Sequence, residues 1–154
     1  MIKKILSLVI IVFGIAADQL VKNWIVANVP LSTTKKFIPG IMSLTHVTNS
    51  GAAWSMLEGQ QWIFNILTPI AVLAALYFLW KKNGQIFYNV GLSLVISGAL
   101  GNWIDRIRQG FVVDMFQTDF INFAIFNVAD ALLSVGFVVL IIAILTDKSE
   151  HLST

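Results

Sequence analysis

The chain has 154 residues, 57% of them hydrophobic and 12% charged, with a formal net charge of +2. A soluble domain carries about twice that share of charge, so the composition describes an integral membrane protein. The small net charge, with no basic run interleaved with aromatics, argues against nucleic acid as a partner. The lack of cysteine excludes disulfides, thiolate nucleophiles and cysteine metal sites, and His46 and His151 stand too far apart for a zincin motif. A hydrolase built from this chain has to rely on carboxylates or on Ser and Lys.

Met1–Ala17 has the lysines, apolar run and small residues of a cleavable secretory signal. The apolar run continues past Asp18 to Val26, however, which suits a retained first span over residues 5–26. Gly14, Asp18 and Lys22 then share one helix face, acid before base. Between Pro30 and Gln61 the pattern changes. Ile41 to Thr48 alternates as a short strand or hairpin does, Asn49, Ser50 and Gly51 signal a turn, and Ala52 to Leu57 suits a short interfacial helix. Residues 62–80 form the plainest span, interrupted only by Pro69. A basic turn at Lys81 and Lys82 leads to a third span over 86–105, in which Ser93, Ser97 and Gly101 make a small-residue stripe. Phe111 to Phe116 reads as a short extended piece, and the last span covers about 130–146. The expected architecture is a single all-α membrane domain over 1–154: four transmembrane helices, a small extracytoplasmic β-rich segment and a short interfacial helix. Tryptophans 24, 54, 62 and 80 fall where an aromatic belt would.

The stretch from Gly98 to Asp130 gathers Asn102, Asp105, Arg106, Asp114, Asn127 and Asp130 in an otherwise apolar chain, and ionisable groups in or beside a bilayer mark a functional site by default. Four alternating spans put these residues, with Asp18 and Asn49, at one membrane face. The positive-inside rule does not orient that face, since Lys3, Lys4, Lys81, Lys82 and Lys148 are balanced by Lys22, Lys35, Lys36, Arg106 and Arg108. Asp114 and Asp130 suit a dyad sharing one proton, one acting as base toward water and the other as acid toward a carbonyl and a leaving amine. On spacing alone they equally suit helix-capping or interfacial acids. Asn102, Asp105 and Arg106 lie at i, i+3 and i+4, as a network in which Asp105 holds Arg106 would.

Five blocks carry a resemblance over nearly the whole chain: D-Q-L-V-K at 18–22, T-N-S-G-A-A-W-S at 48–55, G-A-L-G-N-W-I-D-R at 98–106, V-V-D-M-F at 112–116 and F-N-V-A-D at 126–130. In content and order they resemble the bacterial lipoprotein (type II) signal peptidases. The resemblance implies an aspartic endopeptidase of the bacterial cytoplasmic (inner) membrane, multi-pass, with its active site toward the outer face and both termini in the cytoplasm. It would cleave a prolipoprotein on the amino side of a diacylglyceryl-modified cysteine, as a monomer in contact with membrane lipid, without metal or cofactor. By motif, Asp114 and Asp130 become the catalytic dyad. Asn49, Gly51, Asn102, Arg106 and Asn127 support and bind substrate, and Asp18, Lys22 and Asp105 form a structural polar network. Gly51 to Leu57 would belong to an outer-face segment closing over substrate. Trp54 departs from the Phe more usual in the family. Two readings of other classes remain: a proton-coupled carrier, which calls for an inverted repeat or polar residues on both leaflets, and a structural partner subunit, in which Asp114 and Asp130 would be replaceable.

Overall fold

The structure, a computed structural model, describes residues 2–52, 56–81 and 86–151, with side chains through residue 146. Four helices and three strands follow in the order α1 (Ile2–Asn28), β1 (Thr34–Ile38), β2 (Met42–Asn49), α2 (Gln61–Lys81), α3 (Ile86–Gln109), β3 (Val112–Thr118) and α4 (Val128–His151). The protein is thus mostly helical, with one small antiparallel sheet in the order β1-β2-β3. At 1.5 Å per residue, the 27 residues of α1 extend about 40 Å, beyond a bilayer's hydrocarbon core.

Among the described residues, three helices are long and apolar enough to cross a membrane: α1, α2 and the Val128–Thr146 part of α4. The expectation of four such spans is corrected to that extent, and the reason lies in α3. This helix carries Asn89, Ser93, Ser97, Asn102 and Asp105, all buried, because it packs against each of the other three helices. Its polarity faces inward. Ser93, for example, donates to the Asn89 carbonyl one turn back. The other helices turn large apolar side chains outward instead, Phe13, Leu73 and Phe137 among them.

Helix α3 also runs beyond the expected end at residue 105. Asp105 is held inside the bundle rather than at a helix terminus, so the helix continues to Gln109 and stops at Gly110. There φ is +81° and the Gly110 N–H donates to the Arg106 carbonyl, a left-handed stop that glycine adopts without a Cβ clash. The expected interfacial helix over 52–57 lies partly outside the described residues, as does Trp54, and Met56–Gly59 form turns.

The sheet is built on the end of α1. Along β3, side chains alternate between two faces. Val113 and Met115 pack with Ile25 of α1 and Val29 just after it in one apolar cluster, while Val112 and Asp114 line a cavity on the other side. Pairing of β2 with β3 sets Val47 opposite Asp114 and Asn49 opposite Val112. The chain after β3 then folds back so that Phe126 bridges Phe116, which delivers Asn127 to the start of α4.

Candidate active site

Asp114 is 3% exposed, and amide donors meet both of its oxygens. Asn127 Nδ2 donates to Oδ1 at 2.6 Å and Asn49 Nδ2 to Oδ2 at 2.9 Å. Burial pushes the Asp114 carboxyl up from 3.8 to about 6; the neighbouring Asp130 carboxylate adds to the rise, and the bonds from Asn49 and Asn127 work against it.

Asp130 sits in the first turn of α4, where its contacts follow from helix-end chemistry. The first N–H groups of a helix lack intrahelical partners. Asn127 Oδ1 accepts from the Asp130 N–H at 2.9 Å, and Asp130 Oδ2 accepts from the Asn127 N–H at 3.1 Å. This is a reciprocal capping box written with Asn and Asp. The remaining oxygen, Oδ1, accepts from Asn102 Nδ2 at 2.7 Å. The capping role left open on spacing is therefore real for Asp130, and it coexists with a free approach from the cavity.

Asn102 and Asn127 tie the two acids together, since Asn127 Nδ2 also donates to Asn102 Oδ1 at 3.1 Å. Behind them lies a second buried cluster. Lys22 Nζ is 2.9 Å from Asp18 Oδ2 and 3.0 Å from Asp105 Oδ2, and it donates to Asn102 Oδ1 at 3.0 Å. Asp18 Oδ1 accepts from the Ala129 N–H at 2.9 Å, which adds a side-chain cap to α4 from α1. The approach of α1 to α3 here is close: a Cβ on Gly101 would lie 2.7 Å from Asp18 Oδ2.

Two residues depart from the expected network. Asp105 does not hold Arg106; it bonds Lys22, accepts from Gln19 Nε2 at 2.9 Å and accepts from the Val113 N–H. Arg106 turns the other way, because successive residues on a helix point to different faces. It donates through Nη2 to the Gly51 carbonyl at 2.9 Å and lies over the Phe64 ring at 4.3 Å, a cation–π contact. Sequence reasoning missed Gln19, which bonds Asp18, Asp105 and the Gly101 carbonyl at once. The signal was its place beside Asp18 in an apolar helix.

Asn49, Gly51, Asn102, Arg106, Asp114 and Asp130 line a cavity of about 590 Å³ together with apolar side chains including Phe123, Leu133, Val135 and Phe137. Asp18, Lys22 and Asp105 stand behind this wall. The cavity can hold a molecule with a polar reacting centre and an apolar body, and the two carboxylates are the groups placed to move protons within it.

Long apolar helices around a polar helix, with paired acids where the bundle meets a small sheet, define a multi-pass membrane protein organised about a carboxylate site. The chain belongs to the signal peptidase II family, a family of peptidases: the family model described as Signal peptidase (SPase) II matches residues 10–146. It is 69% identical over 146 residues to the lipoprotein signal peptidase of Lactococcus lactis subsp. lactis strain IL1403, covering 95% of this chain and 97% of that protein. The lipoprotein signal peptidase of Lactiplantibacillus plantarum is 47% identical over 142 residues, covering 92% of this chain and 95% of its own length. A solved bacterial membrane enzyme, determined by the in meso method at 2.3 Å, superposes with a TM-score of 0.87 at 39% identity, covering 94% of this chain and 90% of that one.

Proposed function

We propose that this protein is an aspartic endopeptidase that removes the signal peptide from prolipoproteins, cutting on the amino side of the diacylglyceryl-modified cysteine. One observation carries the reading. Asp114 from β3 and Asp130 from α4 line the same cavity, and Asn127 and Asn102 link them through short hydrogen bonds. The relatives named above carry the substrate class in their names, and the cavity suits it, since it is lined both by the dyad and by apolar side chains of α4.

In the mechanism this geometry supports, Asp130 takes a proton from water as the water oxygen attacks the scissile carbonyl carbon. Asp114, whose burial favours the protonated form up to about pH 6, donates to the carbonyl oxygen. Collapse of the tetrahedral diol breaks the C–N bond, and the proton held on the dyad passes to the leaving amine of the modified cysteine. The signal peptide leaves with a new carboxyl terminus. Asn49 and Asn127 hold Asp114, Asn102 and the α4 cap hold Asp130, and Arg106 with Gly51 positions the substrate strand. Asp18, Lys22 and Asp105 hold α1, α3 and α4 in register beneath the site.

Helix α3 acts as a fourth span, its polar groups shielded by the three apolar helices. The end of α1, the start of α2, the end of α3 and the start of α4 then lie at one membrane face, with the sheet. That face is the outer one and both termini are cytoplasmic, which places the dyad where water meets a lipid-modified substrate. The proposed working unit is a monomer. A pair of otherwise identical prolipoprotein peptides tests the substrate assignment, one with diacylglyceryl on the cysteine and one without. Cleavage of the modified peptide alone is the expected result, and equal cleavage of both would refute lipid recognition.

A further inference from the structure

We propose that Gln61 is a positioning residue for the dyad: it grips the Ser50–Gly51 peptide group, and through that group it aims the Asn49 amide at Asp114. Gln61 is the first residue of α2 and does not line the cavity. Its Nε2 donates to the Ser50 carbonyl. The other end of the same peptide group, the Gly51 N–H, donates to Asn49 Oδ1 at 2.9 Å. A peptide group is a rigid plane, so fixing its carbonyl fixes the direction of its N–H. With Oδ1 of Asn49 committed to that N–H, the amide presents Nδ2 to Asp114 Oδ2 at 2.9 Å. Arg106 holds the next carbonyl, Gly51 O, at 2.9 Å. Two consecutive carbonyls are thus clamped by side chains from α2 and α3, and the turn between them sets one of the two donors on a catalytic acid. Among the described residues the buried Gln61 Oε1 atom has no partner, and the bond to the turn is made by the nitrogen.

The inference rests on the peptidase reading above. Its test uses Gln61→Glu and Gln61→Met in the purified full chain, assayed with a diacylglyceryl-modified prolipoprotein peptide for kcat, KM and pH profile. An ionised carboxylate has the shape of the amide but cannot donate to Ser50 O. The expected result at pH 5.5, below the limb belonging to Asp114, is a loss in kcat of roughly two- to tenfold in both variants, the worth of one hydrogen bond, with KM changed by less than about twofold. The bond from Asn49 favours the charged form of Asp114, so the pH limb belonging to that acid moves upward in both variants. The charged groups acting on Asp114 from the packed elements are Asp130 on α4 and Lys22 on α1, with Arg106 on α3 coupled to it as well. Glu58 approaches Ser50 Oγ at 3.4 Å. These groups are the same in wild type and variants, and the carboxylate that Gln61→Glu adds is absent from Gln61→Met, so a limb shift common to both reports the lost bond. As the pH falls from 5.5 toward 4, protonation returns a donor to Gln61→Glu, and its kcat relative to wild type rises. That ratio is read on one folded protein even where Gln61→Met does not fold. Wild-type kcat and an unmoved pH limb in Gln61→Glu would overturn the inference. Failure of the wild type to cleave would overturn the peptidase reading instead.

Discussion

Lys22→Met removes the cation between two buried carboxylates. The ammonium makes contacts of 2.9 and 3.0 Å with Asp18 and Asp105 and a 3.0 Å bond to Asn102, with side-chain exposures of 3%, 0% and 6% across the lysine and the two acids. Breaking a buried ion pair from one side costs about 3–5 kcal/mol, because the partner charge stays buried and uncompensated. Gln19 and the Ala129 N–H still donate to these acids, which places the expected loss near the lower bound, about 3 kcal/mol. At about 2–4 °C per kcal/mol for a chain of this length, thermal unfolding followed by tryptophan fluorescence in detergent should fall by roughly 6–12 °C. The triple variant Asp18→Asn, Lys22→Met, Asp105→Asn removes all three charges and should recover most of the loss, since replacing a whole buried ionic cluster is often close to neutral. A Tm within about 2 °C of wild type for Lys22→Met, or a triple variant below the single one, would refute the reasoning.

Asn127→Ala removes the α4 cap and a donor on Asp114, so cleavage activity should fall on the order of a hundredfold and stability by about 1 kcal/mol, read from initial rates and thermal melts. Gly101→Ala forces a Cβ against Asp18 Oδ2 and should cost about 1–3 kcal/mol in the same melts. The raised Asp114 carboxyl binds its proton more tightly in the folded state than in the unfolded chain. Its contribution to stability is therefore fully present below pH about 4 and is lost as the pH rises through about 6, by up to about 3 kcal/mol. Wild-type thermal stability should fall across that window, and Asp114→Asn should lack that component of the slope.

Much of the arrangement could be read from residue types alone. Asp18, Asn102, Asp105, Asp114 and Asp130 stood out as polar groups in apolar surroundings, and helix spacing placed Lys22 one turn from Asp18, where the structure has it. The sheet was legible only in outline. Alternation marks β2, but β1 is exposed along its whole length and shows no apolar face, and the pairing of Val47 with Asp114 depends on contacts distant in sequence. The sequence spacing sets Arg106 beside Asp105, but a helix points i, i+1 neighbours apart, and only the fold brings Phe64 and Gly51 to the arginine. The N-x-x-D spacing at 127–130 read equally as a helix cap or a catalytic motif, and the structure gives Asp130 a capping role with its carboxylate still on the cavity. Hydropathy alone underrates α3, since its polar residues are judged without the helices that bury them.

The central claim is tested most directly by cleavage of a diacylglyceryl-modified prolipoprotein by the purified wild type beside Asp114→Asn and Asp130→Asn, each with EDTA present. The account predicts cleavage by the wild type alone, undiminished by the chelator, with both variants folded as judged by their thermal melts. Processing at the wild-type rate by either folded variant would contradict it.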